Sequence, residues 1–399
     1  MRITAVETLR TAEFANVLWV LVHTDAGVTG LGETFYGANA VAAHIHDTLW
    51  GRLAGRDPLH IEAIHRDMVN LPMAQSSTGV EYRAASSIDI ALWDLFGKAC
   101  GQPIHQLLGG LCRPRQRIYN TCAGYRYVRS QDIKPVANWS RGEASGPYED
   151  LDGFMTRADA VAESLLASGI AAMKIWPFDP AAIENEGAHI TVPQLNQALE
   201  PFEKIRRAVG DRMEIMVEFH SLWNLPMAKR LARALEPYRP TWFEDPIRMN
   251  SPQALAEYAR STDVWVCASE TLGSRYAYKD YLDRDAMHVV MADLCWTGGL
   301  TEGRKIAAMA ETYHRPFAPH DCIGPVGFVA ALHASLSQPN TLIQESVRAF
   351  YTGWYKELVT TLPVIKDGYA EPMQGPGLGT ELLPAVFDRA DLTRRRSEL

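Results

Sequence analysis

The amino-acid sequence predicts an α/β protein in which a (β/α)8 TIM-type barrel follows a smaller α+β domain. In the first 117 residues, strand-like alternation gives way to long helical patterns, and from residue 118 short apolar runs alternate with helical stretches. Three of these runs, EIMVEF, TWFED and VWVCASE, each end at or near a glutamate. We expect domains at 1–117 and 118–350, and a C-terminal segment at 351–399 that folds back on the first domain.

The first domain begins with segments in which apolar and polar residues alternate. The turn Asp25-Ala26-Gly27 separates two of them, which predicts an antiparallel meander. Helical patterns follow at 40–55 and 61–72, and the longer EYRAASSIDIALWDLFGKACG ends at Gly101 with Pro103 just beyond, which is a helix stop signal. Strands followed by helices predict an α+β domain.

Eight candidate strands follow, mostly at a spacing of about 25 residues. They are IYNTCAG, AAMKIWPF, EIMVEFH, TWFEDPI, VWVCASE, HVVMADLCW, RPFAPHD and TLIQESV. An open doubly wound sheet is the alternative, but no Gly-rich dinucleotide fingerprint follows any strand. The polar segment 126–153 breaks the rhythm after the first strand, which predicts a long loop on the C-terminal face, where barrel active sites lie.

The composition of the chain limits the kinds of molecule that the protein is expected to bind. The net charge of −8 argues against nucleic acid and anionic membrane surfaces. The sequence shows no signal segment and no apolar run long enough to span a bilayer. Its six cysteines form no CxxC pair, so we expect a cytoplasmic protein with reduced thiols, in which Cys267, Cys295 and Cys322 are small buried residues.

Three carboxylates, Glu218, Glu244 and Glu270, stand at the ends of three consecutive predicted strands. Held close together they repel, so a cation is expected between them, and oxygen-only ligands favour Mg²⁺, Mn²⁺ or Ca²⁺ over zinc. Three separate salt bridges to barrel lysines or arginines are the structural alternative.

The other predicted strands bring further ionisable groups to the same face. They are Lys174, His220, Asp245, Asp293, His320, Asp321 and Glu345. Because side chains alternate along a strand, His220 is expected to point the same way as Glu218. Asp293 and His320 form a candidate base dyad, since a carboxylate on one imidazole nitrogen raises the basicity of the other.

Three of these groups keep more than one possible role. Glu345 is a candidate to hydrogen-bond a developing oxyanion or the base. His220 is a candidate acid for a departing hydroxide, or a side chain that orients a metal ligand. Lys174 is a second base, an electrostatic stabiliser of an enolate, or a partner for a metal carboxylate.

Long ordered stretches resemble the enolase superfamily, in its mandelate racemase branch, and are most similar to the acid-sugar dehydratases. They include AASSIDIALWDLFGKACGQPIHQLLGG, VEFH, WFEDPI, ASET, DLCWTGGLTEGRKIAAMAE, FAPHDCIGPVGFVAALHASL, IQESVR and PGLGTEL. The resemblance implies that the N-terminal α+β domain caps a modified barrel. It also implies that cap loops around FYGANA and MAQSSTG cover the substrate, and that the protein is a homo-oligomer.

Carried onto this sequence, the resemblance makes Glu218, Glu244 and Glu270 the ligands of one Mg²⁺ per subunit and Asp293–His320 the general base. Glu345 becomes the acid that binds the substrate carboxylate or enolate, and His220 matches the general acid of galactonate and mannonate dehydratases. One departure is that Trp176 stands where the racemase branch often has the second lysine of Lys-x-Lys, so two-base racemisation loses its partner.

The resemblance therefore implies Mg²⁺-dependent dehydration of a sugar acid, aldonate or aldarate, to a 2-keto-3-deoxy acid. Racemisation, epimerisation or cycloisomerisation through the same enolate is the first alternative, with Lys174 as the possible second base. A sugar-acid binding or regulatory protein with little turnover is the second. Which acid binds depends on the first-strand loop, the cap loops and the candidate contacts Trp176, Trp223, Trp296 and Trp354.

Overall fold

The first domain is built on antiparallel strands, as the alternation predicted. The computed structural model describes residues 1–70, 78–129, 146 and 148–399. Strands β1 (Ile3–Thr11), β2 (Val17–Thr24) and β3 (Thr29–Phe35) pair antiparallel in order. The β2–β3 turn closes where Gly27, at a φ of 73°, donates its N–H to the carbonyl of Thr24. A glycine tolerates this left-handed conformation without steric cost.

Helices cover this sheet. They are α1 (Ala38–His44), α2 (Trp50–Leu53), α3 (Ile61–Val69), α4 (Val80–Cys100) and α5 (Ile104–Leu107), with a π-helical turn at Ile45–Leu49 between α1 and α2. The predicted stop is confirmed, because α4 ends at Cys100 and Gly101 adopts a left-handed conformation. The close approach of α4 to β3 requires Gly30 and Gly32, where an added Cβ would lie within 2.0 Å of an α4 carbonyl oxygen.

The second part of the chain forms a barrel, and the predicted eight strands are confirmed. They are β4 (Gln116–Thr121), β5 (Ala172–Ile175), β6 (Glu214–Glu218), β7 (Trp242–Glu244), β8 (Trp265–Ala268), β9 (Val289–Asp293), β10 (Phe317–His320) and β11 (Gln344–Ser346). Neighbouring strands from β4 to β10 pair in parallel, and β11 pairs with β4. The N–H of Leu342 bonds the carbonyl of Phe317, which joins the ends of the ring and excludes an open doubly wound sheet.

Barrel helices lie between the strands. They are α6 (Asp150–Thr156), α7 (Ala158–Ala167), α8 (Asp179–Glu184), α9 (Val192–Val209), α10 (Leu225–Leu235), α11 (Pro252–Ala259), α12 (Arg275–Leu282), α13 (Gly299–Thr312) and α14 (Pro325–Ser337). Short 3₁₀ turns occur at Gly210–Arg212 and Glu236–Tyr238. Buried side chains from the strands fill the ring, among them Tyr119, Met216, Trp242, Cys267 and Met291. Such filling makes the barrel a packed core rather than a pore.

The C-terminal segment returns to the first sheet. It contains α15 (Arg348–Tyr351), a 3₁₀ turn at Trp354–Glu357, β12 (Ile365–Lys366), β13 (Tyr369–Ala370), α16 (Pro384–Phe387) and β14 (Leu392–Glu398). Strand β14 pairs antiparallel with β1, which makes it the edge strand of that sheet. Within the described ranges, no helix is both long enough and apolar enough to cross a membrane.

Buried groups of the first domain hold the two barrel loops that follow β9 and β10. Asp89 on α4 accepts the N–H of Thr301 at 2.9 Å in the first turn of α13. Glu33 on β3 accepts the N–H of Gly327 at 2.9 Å in the first turn of α14, and the indole N–H of Trp19 at 2.9 Å. A carboxylate at a helix N-terminus satisfies N–H groups that the helix itself leaves unpaired. The first domain therefore positions the ends of β9 and β10.

Candidate active site

Three carboxylates meet at the C-terminal end of the barrel. Glu218 ends β6, Glu244 ends β7, and Glu270 follows β8 by two residues. One oxygen from each lies within 4.8 Å of the others, so the group is able to hold a metal ion. The parallel register sets Glu218 beside Glu244, since these two residues are partners across β6 and β7.

Lys174, the third residue of β5, lies among the carboxylates. Its Nζ is 2.5 Å from Glu244 Oε1, 2.9 Å from Glu345 Oε1 and 3.6 Å from Glu218 Oε2. Burial disfavours the charged ammonium, but Glu244 and Glu345 outweigh it and raise the pKa of Lys174 well above its ordinary value. Of the three roles open to this lysine, the geometry favours the partner of the carboxylates.

The donor set fits a hard cation. Burial, together with the negative charge of Glu218, raises the pKa of Glu244 well above its ordinary value. Lys174 contacts Glu218, Glu244 and Glu345, while Glu218, Glu244 and Glu270 direct one oxygen each to a common point. Carboxylate oxygens are the ligands that Mg²⁺ prefers.

His320 and Asp293 form the predicted dyad geometry. They are partners across β9 and β10, and the Nδ1 of His320 is 2.7 Å from the Oδ2 of Asp293. The N–H of Cys295 donates to the other oxygen of Asp293 at 2.7 Å. The Nε2 of His320 lies 2.8 Å from Glu270. Burial works against a charged imidazole, yet Glu270 and Glu345 outweigh it and raise the pKa of His320 well above its ordinary value.

Glu345, the middle residue of β11, lies between this dyad and Lys174. Its Oε2 accepts the N–H of Asp321 at 2.7 Å and lies 3.8 Å from the Nε2 of His320. Its Oε1 accepts the hydroxyl of Thr121. Burial opposes ionisation of Glu345, but Lys174 and His320 outweigh it and lower the pKa of this carboxyl group. Glu345 is thereby an ionised acceptor beside the dyad.

His220 reaches the site by a different route from the one that strand alternation predicted. Strand β6 ends at Glu218, and His220 lies beyond it with a φ of 49°. Both side chains line the same cavity, as predicted, but strand alternation is not the reason, because the strand does not extend to His220. A left-handed turn re-aims the backbone, and the N–H of His220 donates to Glu218 Oε1 at 2.6 Å.

Asp179 is a site residue that sequence reasoning missed. The Nδ1 of His220 lies 2.8 Å from the Oδ2 of Asp179, which is buried at the start of α8. Burial alone would lower the pKa of His220, but Asp179 and Glu218 outweigh it and raise the pKa to about 9. The available signal was an acid directly after the second barrel strand, in the sequence WPFDP.

Several of these groups line one cleft, part of which is open to solvent. Lys174, Glu218, His220, Glu270 and His320 contribute its polar wall. The other lining residues in the described part of the chain are Phe35, Tyr36, Thr121, Tyr127, Trp176, Trp296, Cys322 and Ile323. The acids Asp245 and Asp321 are buried but are not among the lining residues.

Some of the residues predicted to determine substrate specificity line this cleft, and others lie elsewhere in the fold. Phe35 and Tyr36 of the FYGANA loop line it, as do Trp176 and Trp296. Trp223 and Trp354 were wrong candidates, because Trp223 lines a separate groove and Trp354 packs in the core against Phe14 and Phe350. Within the two predicted loops, 73–77, 130–145 and 147 lie outside the described residues.

The prediction that Cys267, Cys295 and Cys322 are small buried residues is confirmed. Cys267 lies in the barrel core and Cys295 in the larger core cluster. Cys322 also lies in the larger core cluster and additionally lines the cleft.

Known proteins and family models are similar to this chain over nearly its whole length. Residues 2–109 match the model of the mandelate racemase/muconate lactonizing enzyme N-terminal domain, and residues 156–386 match that of the enolase C-terminal domain-like family. A D-galactonate dehydratase of Ralstonia pickettii is 31% identical over 97% of this chain and 93% of its own. The D-galactonate dehydratase of Xanthomonas oryzae pv. oryzae is 31% identical over 98% of this chain and 94% of its own length.

Solved structures of enolases are also similar to this chain. An enolase of the mandelate racemase subgroup from Agrobacterium tumefaciens is 50% identical, with a TM-score of 0.88 over 100% of this chain and 99% of its own. An enolase from the Sargasso Sea environmental genome is 44% identical, with a TM-score of 0.88 over 100% and 99%. The chain therefore belongs to the mandelate racemase/muconate lactonizing enzyme family of the enolase superfamily.

Proposed function

We propose that this enzyme dehydrates a sugar acid to a 2-keto-3-deoxy acid, and that it requires Mg²⁺. The observation that carries the proposal is a pair of imidazoles, each held through Nδ1 by its own carboxylate: His320 by Asp293 and His220 by Asp179. Strands β6 and β10 are four positions apart in a closed ring of eight, so the two histidines face each other across the carboxylate triad.

The reaction needs a base on one side of the substrate and an acid on the other. His320 removes the proton α to the substrate carboxylate through Nε2, because Asp293 occupies Nδ1. His220 donates a proton from Nε2 to the β-hydroxyl as the C–O bond breaks and water leaves. The enol that remains takes a proton at the β-carbon, loses the proton of the hydroxyl on the α-carbon and becomes the 2-keto-3-deoxy acid.

Charge develops on the substrate carboxylate as the α-proton departs. Glu218, Glu244 and Glu270 would hold the Mg²⁺ ion, which supplies positive charge that stabilises the enediolate. Lys174 neutralises part of the surrounding carboxylate charge. All these side chains stand at strand ends or in loops fixed by hydrogen bonds, so little reorganisation is needed during the reaction.

Racemisation through the same intermediate is the competing reaction, and Lys174 was its possible second base. The Nζ of Lys174 is within 3.6 Å of three carboxylates, so its N–H donors are already engaged by Glu218, Glu244 and Glu345. A lysine in that setting is a poor acceptor for a carbon-bound proton. Its position supports dehydration over a reaction that needs this second base.

The test is incubation with Mg²⁺ and a panel of aldonic and aldaric acids, with detection of 2-keto acids. We expect turnover of at least one acid, no turnover by His320→Asn, and unchanged activity of the exposed control His60→Asn. In D₂O, His220→Asn is expected to exchange the α-proton without losing water. Solvent exchange that yields the epimer and no 2-keto acid, or substrate binding without exchange or product, would contradict dehydration.

A further inference from the structure

One cation at the edge of the cleft has no role in the chemistry above. Arg83 lies in the first turn of α4, and its Nε donates to the carbonyl of Phe35 at 3.2 Å. Its guanidinium lies over the ring of Trp296, 5.1 Å from the centroid. Phe35 and Trp296 both line the cleft, one from the first domain and one from the barrel. The guanidinium therefore lies at the seam between the two domains, beside the cleft.

The terminal nitrogens of Arg83 have no carboxylate within ion-pair distance among the described residues. Two arginines elsewhere do have such a partner: Arg348 pairs with Asp150 at 2.6 Å and Arg304 with Glu62 at 3.0 Å. A half-buried guanidinium without an anion carries five N–H donors, of which only one is used by Phe35. Such a group is suited to bind a carboxylate through two parallel hydrogen bonds.

The position of Arg83 suits the end of the substrate remote from the reacting carbon. The ring centroid of Trp296 lies 5.3 Å from that of His320 and 5.1 Å from the guanidinium carbon of Arg83, so His320 and Arg83 are at most about 10 Å apart. In an extended six-carbon acid the α-carbon and the far carboxyl carbon are roughly 5 Å apart, with contacts of ~3 Å at each end. Such an acid, at about 11 Å with its contacts, is therefore long enough to reach from His320 to Arg83.

We propose that Arg83 binds a second carboxylate at the far end of the substrate, so that the enzyme acts on aldaric rather than aldonic acids. The inference rests on the proposed function for the identity of the reacting end. The near carboxylate meets the cation site of Glu218, Glu244 and Glu270, and the far one meets Arg83. The wall between them is largely aromatic; among the described lining residues Lys174 is already paired with Glu244, and the imidazoles of His220 and His320 serve as the proposed acid and base.

The matched substrates galactarate and galactonate, and glucarate and gluconate, differ in whether C6 is a carboxylate or a hydroxymethyl group. We expect the wild-type kcat/KM for an aldarate to exceed that for its aldonate at least tenfold. In Arg83→Gln that ratio should fall about 10- to 100-fold, mostly through KM, which corresponds to the loss of charge-assisted hydrogen bonds. Arg83→Lys keeps the positive charge but loses the pair of parallel N–H donors, so its ratio of kcat/KM values should lie between those of the wild type and Arg83→Gln.

The control is Arg304→Gln, which removes an arginine that also lies over a tryptophan, Trp93, at 5.8 Å, but away from the cleft. It should leave the ratio unchanged. 6-Phosphogluconate separates a preference for any anionic end from one for carboxylate. Equal use of aldarates and aldonates, preference for the phosphate, or an equal loss on both acids in Arg83→Gln would overturn the proposal.

A binding measurement tests the second carboxylate site independently of the proposed reaction. Galactarate and galactonate are titrated calorimetrically into Mg²⁺-loaded His320→Asn and into the double variant with Arg83→Gln. Tighter binding of the aldarate that disappears with Arg83→Gln supports the second carboxylate site, whether or not the wild type turns over either acid. An aldarate advantage that is absent, or that survives the loss of Arg83, refutes it. Absence of 2-keto acid product in the wild type refutes only the dehydration.

Discussion

The Nδ1 atom of His220 lies 2.8 Å from the Oδ2 of Asp179. This contact joins a histidine beyond the end of β6 to the first residue of α8, which follows the neighbouring strand β5. A carboxylate on Nδ1 directs the second nitrogen of the ring, Nε2, towards the cleft and sets the orientation of the imidazole. Asp179 is thus a positioning residue for the proposed acid.

Removal of the Asp179 charge should impair loss of water more than removal of the α-proton. In Asp179→Asn we expect kcat for dehydration to fall about 10- to 100-fold, the range seen when groups that orient a histidine are removed. Exchange of the α-proton with D₂O should persist, because it depends on His320. The two rates are measured by 2-keto acid formation and by NMR.

The exposed Asp159→Asn on α7 serves as the control for this variant. It should leave both rates unchanged. If Asp179→Asn slowed exchange and dehydration by the same factor, Asp179 would support the fold of the site rather than the acid.

Lys174 should be essential for stability of the metal-free protein. Lys174→Met leaves Glu244 and Glu345 buried without their nearest cation, and breaking a buried pair in this way costs about 3–5 kcal/mol. Urea unfolding in the presence of a chelator measures this loss. The exposed Lys356→Met should unfold like the wild type. A loss below 1 kcal/mol would show that the carboxylates are satisfied without Lys174.

Mg²⁺ should stabilise the folded protein as well as support turnover. An ion that binds only the folded state adds about 2.7 kcal/mol to the free energy of unfolding at a concentration of 100 times its Kd. We expect a rise in Tm on addition of Mg²⁺ to chelator-treated protein. Glu270→Gln, which removes one carboxylate of the triad, should reduce that rise, whereas Glu311→Gln on α13 should not. A Tm that is insensitive to Mg²⁺ would argue against the metal site.

The Glu33 contact with α14 should make the stability depend on pH. Burial raises the pKa of this carboxyl from 4.5 to about 7, despite the N–H groups of Gly327 and Trp19 that favour its charged form. Because the folded state then binds the proton more tightly than the unfolded chain does, this contribution is complete below pH 4.5 and is lost as the pH rises through 7. Its full size is about 3 kcal/mol.

Glu33→Gln removes the titrating group and isolates this effect. The free energy of unfolding of the wild type minus that of the variant should fall by up to about 3 kcal/mol between pH 4.5 and 8, because other groups titrate in both proteins and cancel. Urea unfolding at several pH values measures the difference. Parallel pH profiles for the two proteins would show that Glu33 keeps an ordinary pKa.

Strand ends were the part of the site that the sequence could predict. Glu218, Glu244, Asp293, His320 and Glu345 each stand at or next to the end of a short apolar run, and the carboxyl ends of parallel barrel strands converge on one face. The repeating strand–helix pattern therefore predicts both the barrel and the meeting of these groups. The pairing of His320 with Asp293 follows from the parallel register of β9 and β10.

Only the tertiary structure decided what the loops and the first domain contribute. Asp179 and Arg83 lie at helix starts, where no periodic pattern indicates the direction of a side chain, and the left-handed backbone of His220 ends the alternation that was used to orient it. Glu33 and Asp89 meet helices more than 200 residues away. The sequence by itself determined which groups stand at the strand ends, because that pattern is local. Their partners were decided by packing between distant segments, which local periodicity does not encode.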